Sequence, residues 1–206
     1  MTCNNKRDTK RNNAQSNRGK SGFIRIIGGQ WRGRKLPVRD AIGLRPTTDR
    51  TKETVFNWLM HDITDAECLD LFAGSGSLGF EALSRYAEAV TLVEKDTATA
   101  KQLKDNLVQL PLSRQHAEVL QQDAIQVLPT LSQQYDLIFI DPPFQKGLAA
   151  QALALIKRHK VLKPDGLLYI ETESELADIG SEFQLEQVKQ KRTNQVAYGL
   201  WRSATD

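Results

Sequence analysis

Four acidic residues, Asp70, Glu94, Asp123 and Asp141, fall at intervals that suit ligand chemistry. Each lies at or near the end of an apolar run (residues 67–72, 89–93, 117–120 and 135–140), so each reads as the carboxyl end of a strand. In an open α/β sheet the ligand sits outside these strand ends. One carboxylate there is an ordinary solvated loop residue; four in succession predict an acid-lined rim. The first strand runs into Gly74-Ser75-Gly76-Ser77-Leu78-Gly79, a literal match to the glycine fingerprint of dinucleotide enzymes, with Glu94 twenty residues after Gly74. A pyrophosphate beside Asp70 and Asp141 would meet like charge in a partly desolvated site. S-adenosylmethionine is the better match, because its sulfonium and α-amino groups are cationic and it carries no phosphate. The glycines then permit close backbone approach. Glu94 can accept hydrogen bonds from both ribose hydroxyls, and Asp123 one from the adenine amino group.

The tetrapeptide Asp141-Pro142-Pro143-Phe144 follows the most apolar strand. Elsewhere it would read as a rigid turn that ends a strand. At this rim it suits the capture of an exocyclic amine, whose lone pair is otherwise delocalised into a base. A carboxylate oxygen of Asp141 and the carbonyl of Pro142 can accept the two N–H bonds, while the prolines fix the loop and Phe144 offers a stacking face. Positioning of this kind is worth up to about 7–11 kcal/mol in favourable cases. Cys68 lies inside the first strand and Cys3 near the start of the chain, so neither suits the nucleophile that carbon methylation of a pyrimidine needs.

These residues need elements to hold them. From residue 67 the apolar runs alternate with helical segments at 78–86, 97–110, 124–131 and 148–159, which predicts a mostly parallel sheet covered on both faces. A further strand, 167–170, follows the turn Lys163-Pro164-Asp165-Gly166. Residues 183–190 and 195–202 have no helix between them and read as an antiparallel hairpin. Ahead of the sheet, 23–27 and 34–38 read as a hairpin around Gly28-Gly29-Gln30-Trp31-Arg32-Gly33. A helix is expected near 49–60, with Thr47, Thr48 or Asp49 as its cap. Trp58 reads as core packing, and Trp31 as either core or a second ring against the base.

The chain has 206 residues, 40% hydrophobic and 26% charged, as befits one α/β domain with an appendage. The net charge of +3 conceals a split. Residues 1–52 hold 14 basic against three acidic side chains, a net of +11, and the remainder holds 14 against 22, a net of −8. Such asymmetry points to a polyanion-binding arm joined to a domain with another task. Residues 1–22 are almost free of apolar side chains and are expected as a disordered basic tail. The cations of 25–52 are interleaved with Ile26, Ile27, Trp31, Leu36 and Val38, so a folded segment can aim them; Arg25, Arg32, Arg34, Lys35 and Arg50 are the candidate RNA contacts. The expected organisation is the tail (1–22), a hairpin and helix extension (23–61) and a catalytic domain (62–206). No apolar stretch is long enough for a membrane span, no secretory h-region precedes Phe23, and two cysteines and three histidines supply neither a disulfide framework nor a metal cluster. The expectation is a cytoplasmic, metal-free protein.

The strings GGQWRGRKLPV (28–38), LRPTTDRTKETVFNWL (44–59), DLFAGSGSLGFEALSR (70–85) and DPPF (141–144), with Gln195-Val196-Ala197-Tyr198, closely resemble the RsmD-type 16S ribosomal RNA guanine-N2 methyltransferases of bacteria. The resemblance runs from about Phe23 to Trp201; DPPF and the glycines are shared by many amino-methyltransferases, whereas the 28–59 block is specific to the family. It implies a Rossmann-like class I methyltransferase sheet of seven strands, the last antiparallel. It also implies S-adenosyl-L-methionine as donor, leaving S-adenosyl-L-homocysteine, with no metal. The implied acceptor is guanine N2 in 16S ribosomal RNA, presented on the small ribosomal subunit or its assembly intermediate to a monomeric enzyme. By this resemblance Asp70, Phe72, Gly74, Gly76, Glu94 and Asp123 hold the cofactor, and Asp141, Pro142, Pro143 and Phe144 form the catalytic amine site. The 45–51 loop closes over the methionine end of the cofactor, with Arg45 and Thr47 as its contacts. DNA adenine-N6 and protein glutamine methylation share the chemistry. No insertion is large enough for a DNA-reading module, and the +11 segment does not suit a small protein acceptor. A non-catalytic RNA-binding module is the remaining alternative, and the intact DPPF beside an intact cofactor set argues against it.

Overall fold

The computed structural model describes residues 22–38, 49–112, 114–144 and 146–203. Two strands, β1 (Gly22–Arg25) and β2 (Lys35–Val38), pair antiparallel with Arg25 opposite Lys35. Helix α1 (Asp49–Trp58) follows. The remainder alternates: β3 (Glu67–Asp70), α2 (Ser77–Ser84), β4 (Ala89–Val93), α3 (Thr97–Val108), β5 (His116–Leu120), α4 (Ala124–Val127), β6 (Tyr135–Ile140), α5 (Leu148–His159) and β7 (Leu162–Glu173). A short helix α6 (Ile179–Glu182) then leads to β8 (Leu185–Arg192) and β9 (Val196–Ser203).

The seven-stranded sheet has the order β5-β4-β3-β6-β7-β9-β8. Strands β3 to β7 are parallel, and β9 runs antiparallel to both β7 and β8. The expected C-terminal hairpin is present, but its second strand, not its first, is wedged against β7. Winding reverses between β3 and β6, which opens the crevice where such sheets bind ligands.

Several boundaries differ from expectation for local reasons. The first sheet strand stops at Asp70 because Leu71 and Phe72 already turn towards the glycine loop. Pro129 ends α4 early, and a 3-10 turn over Leu128–Thr130 takes its place. Strand β7 begins five residues sooner than expected, because the Lys163-to-Gly166 turn bulges out of a strand already paired at Leu162. Asp165 sits in that bulge with φ 61°.

Strand alternation sorts the interior into two layers. Leu137, Phe139, Leu167, Tyr169, Tyr198 and Leu200 face one side, and Ile138, Ile140, Leu168, Ile170 and Trp201 the other. The second layer is packed by Ala124, Val127, Ala152, Leu153 and Ile156 of α4 and α5. The first is covered partly by the N-terminal extension: Ile24, Ile26, Trp31, Leu36, Val55, Phe56 and Leu59 join the same cluster, with the Phe56 and Phe139 rings 5.9 Å apart. The extension therefore shares the core of the sheet.

A buried polar seam fixes the extension to α2. Glu81, fully buried, accepts from the Ile27 amide at 2.9 Å and from Arg85 Nε at 2.8 Å. Lys52, 1% exposed, donates to the Arg25 carbonyl at 2.6 Å and lies 3.8 Å from Glu81. Burial lowers the Lys52 ammonium from its ordinary range, while Glu81 and Asp49 oppose that shift. Ser84 Oγ donates to the Gly28 carbonyl (2.6 Å) and accepts from the Trp31 amide (3.0 Å). Gly29 has φ +72°, and a Cβ there would lie 1.8 Å from the Ser84 carbonyl oxygen, so only glycine lets the turn approach this closely.

Candidate active site

The carboxyl ends of β3, β4, β6 and β7 open onto one cavity of about 850 Å³. Asp70, Phe72, Gly74, Glu94 and Asp123 line it at one end, and Asp141, Pro142, Pro143 and Phe144 are on its wall as well. The sequence-predicted residues are thus brought together, with stated exceptions. Gly76 is absent from the wall; it takes φ +76°, donates to the Ala73 carbonyl at 2.7 Å and turns the loop into α2. A Cβ on Gly76 would meet the Phe80 ring at 2.3 Å. Arg45 and Thr47 lie outside the described residues, as do Cys3 and most of the 1–22 tail.

The acids of the first end are held by nearby main chain. Asp70, 2% exposed, accepts from the Gly79 amide at 2.9 Å and so ties the far end of the glycine loop to β3. Burial pushes its carboxyl up to about 7, against the opposing pull of that hydrogen bond, with Glu94 adding to the rise. Glu94 accepts from the Gly74 amide through Oε2 (3.0 Å) and from the Asp96 amide through Oε1 (2.8 Å). Asp123 caps α4 by accepting from the Ile125 amide at 2.9 Å. A carboxylate offers about four lone-pair positions, so each of these retains capacity for a ligand hydroxyl or amine.

The other end was only half legible. Besides Asp141 to Phe144 it contains Glu171 and Thr193, which the sequence did not point to, and Val196 and Tyr198, which figured there only within the string 195–198; Thr51, the last residue of the loop expected to close over the cofactor, also lines the cavity. Ile140 pairs with Ile170, so Asp141 and Glu171 are the next residues on adjacent parallel strands. Glu171 pairs in turn with Tyr198 of β9. Tyr169, fully buried, donates its hydroxyl to Glu171 Oε2 at 2.6 Å. Desolvation raises the Tyr169 hydroxyl well above its usual range, with Glu171 and Asp141 adding to the effect, so it stays a donor. Trp58 of α1 packs on Tyr198 with ring centroids 5.8 Å apart, backing the cavity wall. Trp31 is buried in the core and does not line the cavity, which removes it as a ring against the base. One signal for Glu171 was available: it follows the 167–170 run as the other acids follow theirs.

The site fits S-adenosylmethionine by its chemistry. Glu94, Asp123, Asp141 and Glu171 outnumber Lys95 and Lys146 on the wall even with Asp70 left aside, which favours a cation over a pyrophosphate. Ser77 Oγ is buried beside the glycine loop and has no hydrogen-bond partner among the described residues, as a group awaiting a polar ligand would be. Burial pushes the Cys68 thiol up, so it is inert as a nucleophile. Among the described residues no group of three His, Cys, Asp or Glu side chains could hold a metal ion, and no helix is long and apolar enough to cross a membrane.

The candidate RNA contacts lie on the extension. Arg25, Arg32, Arg34, Lys35 and Arg50 are all exposed. Arg34 donates to the Gln109 carbonyl at 2.9 Å, and Lys35 sits 4.3 Å above the exposed Phe23 ring.

Comparison with known proteins agrees with this architecture. The family model described as "Conserved hypothetical protein 95" matches residues 24–202. The ribosomal RNA small subunit methyltransferase D of Haemophilus influenzae is 50% identical over 184 residues, covering 88% of this chain and 95% of that protein. Its counterpart in Escherichia coli strain K12 is 48% identical, with 88% and 91% covered. The solved structure of a putative methyltransferase from Escherichia coli superposes with a TM-score of 0.79 at 44% identity, over 89% of this chain and all of that one. A tRNA m1G37 methyltransferase from M. jannaschii, 12% identical, shares the fold with a TM-score of 0.67 over 90% of this chain and 57% of that one. With the Rossmann-like α/β sheet of S-adenosylmethionine-dependent methyltransferases, a matching family model over most of its length and relatives at half identity, the chain belongs to the ribosomal RNA small subunit methyltransferase D family.

Proposed function

We propose that the protein transfers a methyl group from S-adenosyl-L-methionine to the exocyclic N2 of one guanine in 16S ribosomal RNA, presented on the small subunit or its assembly intermediate in the bacterial cytoplasm. The observation that carries this reading is the position of Asp141-Pro142-Pro143-Phe144 on the same cavity wall as Asp70, Glu94 and Asp123. The relatives named as small-subunit ribosomal RNA methyltransferases support the substrate class.

When bound, the cofactor supplies an electrophilic methyl group on a cationic sulfur that leaves as a neutral thioether. Glu94 and Asp123 hold its ribose and adenine, and Gly74 keeps the loop close. Asp141 and the Pro142 carbonyl accept the two N2–H bonds, which draws the lone pair out of conjugation and aims it. Phe144 stacks on the base. As the N–C bond forms, one N2 proton passes to an Asp141 oxygen or to water, so no stronger base is needed. The exposed cations of the extension bind phosphates and set the register of the RNA without reading its sequence.

Incubating the enzyme with methyl-labelled cofactor and, in parallel, small subunits lacking the modification, stripped ribosomal RNA, duplex DNA and a glutamine-bearing protein tests the reading. Label is expected in the small subunits, recovered after nuclease digestion as N2-methylguanosine. Label in DNA or protein, at another atom, or in no acceptor would reject it.

A further inference from the structure

We propose that Glu171 determines the identity of the acceptor base, accepting the ring N1–H of guanine while Asp141 and Pro142 hold the neighbouring N2 amine. This rests on the guanine-N2 reading above and deepens it by assigning discrimination to a residue separate from the amine site. Guanine presents two adjacent donors on its Watson–Crick edge, N1–H and N2–H₂, whereas adenine presents a bare N1 lone pair beside its amine. A site for guanine N2 therefore needs a second acceptor next to the one that takes the amine.

Glu171 meets that requirement. It is the residue beyond the Ile140–Ile170 pair on the strand beside Asp141, and both carboxylates line one cavity. Asp141 continues the alternation of Leu137 and Phe139, and Glu171 that of Leu167 and Tyr169, so both emerge on the same face of the sheet. The Tyr169 hydroxyl, 2.6 Å from Oε2, fixes the carboxylate from below with an O–H···O⁻ bond, a strong class of hydrogen bond. Tyr198, paired with Glu171 across β9 and packed against Trp58, walls the same end. A carboxylate facing a base that offers a lone pair instead of N1–H is left repelled and undersolvated, and discrimination by such a mispaired polar group is large.

The test uses small subunits reconstituted with ribosomal RNA carrying either guanine or 2,6-diaminopurine at the methylated position. Diaminopurine keeps the N2 amine but replaces N1–H with a lone pair. The wild-type enzyme is expected to favour guanine by roughly ten- to a hundred-fold in kcat/KM, the scale of one well-read base contact. Glu171→Gln, whose amide can donate to that lone pair, should shrink the preference at least several-fold with cofactor affinity and melting temperature unchanged. Equal wild-type rates on the two bases would overturn the proposal without any variant, and so would an undiminished preference in a folded Glu171→Gln enzyme. Methyl transfer to guanine N2 with no discrimination sinks the inference alone; absence of guanine-N2 methylation sinks the functional reading with it.

Discussion

At the cofactor end of the cavity, carboxylates are engaged by main-chain amides: Asp70 by Gly79, Glu94 by Gly74 and Asp96, Asp123 by Ile125. The acceptor end is held by side chains instead. Glu171 is oriented by the hydroxyl of a buried tyrosine two residues back, and Tyr198 comes from the last strand of the chain and is backed by the Trp58 ring of the N-terminal extension. The first arrangement builds a ligand cradle out of loop-forming interactions, so losing a carboxylate there loosens the loop as well as the contact. The second separates base capture from loop architecture, so its residues can be altered with the cradle intact.

The sharpest way to break this contrast is Asp141→Ala. Turnover should fall about 100- to 1,000-fold, as for removal of a preorganised transition-state contact, with cofactor affinity by calorimetry little changed. Asp141→Asn should be milder, because its amide oxygen still accepts. Glu94→Ala should behave oppositely: cofactor binding weakens by about 10- to 100-fold, from lost ribose contacts and two amides left without their acceptor, and turnover largely recovers at saturating cofactor. A turnover loss in Glu94→Ala equal to that of Asp141→Ala under saturation would erase the distinction.

Asp70 offers a pH test of the cradle. Its folded carboxyl titrates near 7 against an ordinary 3.8, so the folded protein retains a proton that the unfolded chain releases. That contribution to stability is present in acid and is lost as pH rises from about 4 towards 7. Asp70→Asn, which still presents an oxygen to the Gly79 amide, should therefore gain on the wild type between pH 5 and 7.5 in urea unfolding. The expected gain is on the order of a kcal/mol or more. A stability difference that does not change with pH would contradict the burial argument. The smallest effect is expected outside the cavity: Arg32→Ala should weaken RNA binding a few-fold and lower the salt slope by about 1, with cofactor binding untouched.

What could be read from the sequence follows the same division. Helix α5 and strands β4 and β6 match their expected spans, because a continuous apolar run or a helical repeat bounded by strong breakers is a local signal. The cradle acids were legible because each ends its own strand. Glu171 follows an apolar run too, but β7 continues to Glu173, and its partnership with Asp141 exists only once β6 and β7 lie side by side. The Lys52–Glu81 contact was hidden for a related reason. A lysine within a basic stretch reads as a phosphate contact, and only the docking of the extension onto α2 makes it an internal donor to the Arg25 carbonyl. The bulge in β7 was hidden by its own turn residues, which locally look like the end of a strand.

The placement of β9 between β7 and β8 bears on how the enzyme is made. Synthesis runs from the N-terminus, so β8 emerges with its sheet neighbour not yet translated and cannot add to the growing sheet until β9 arrives to bridge the gap. Val196 and Tyr198, on β9, are also the last wall of the cavity to appear. The wall that Val196 and Tyr198 supply is therefore complete only when this strand, late in the chain, has taken its place between β7 and β8.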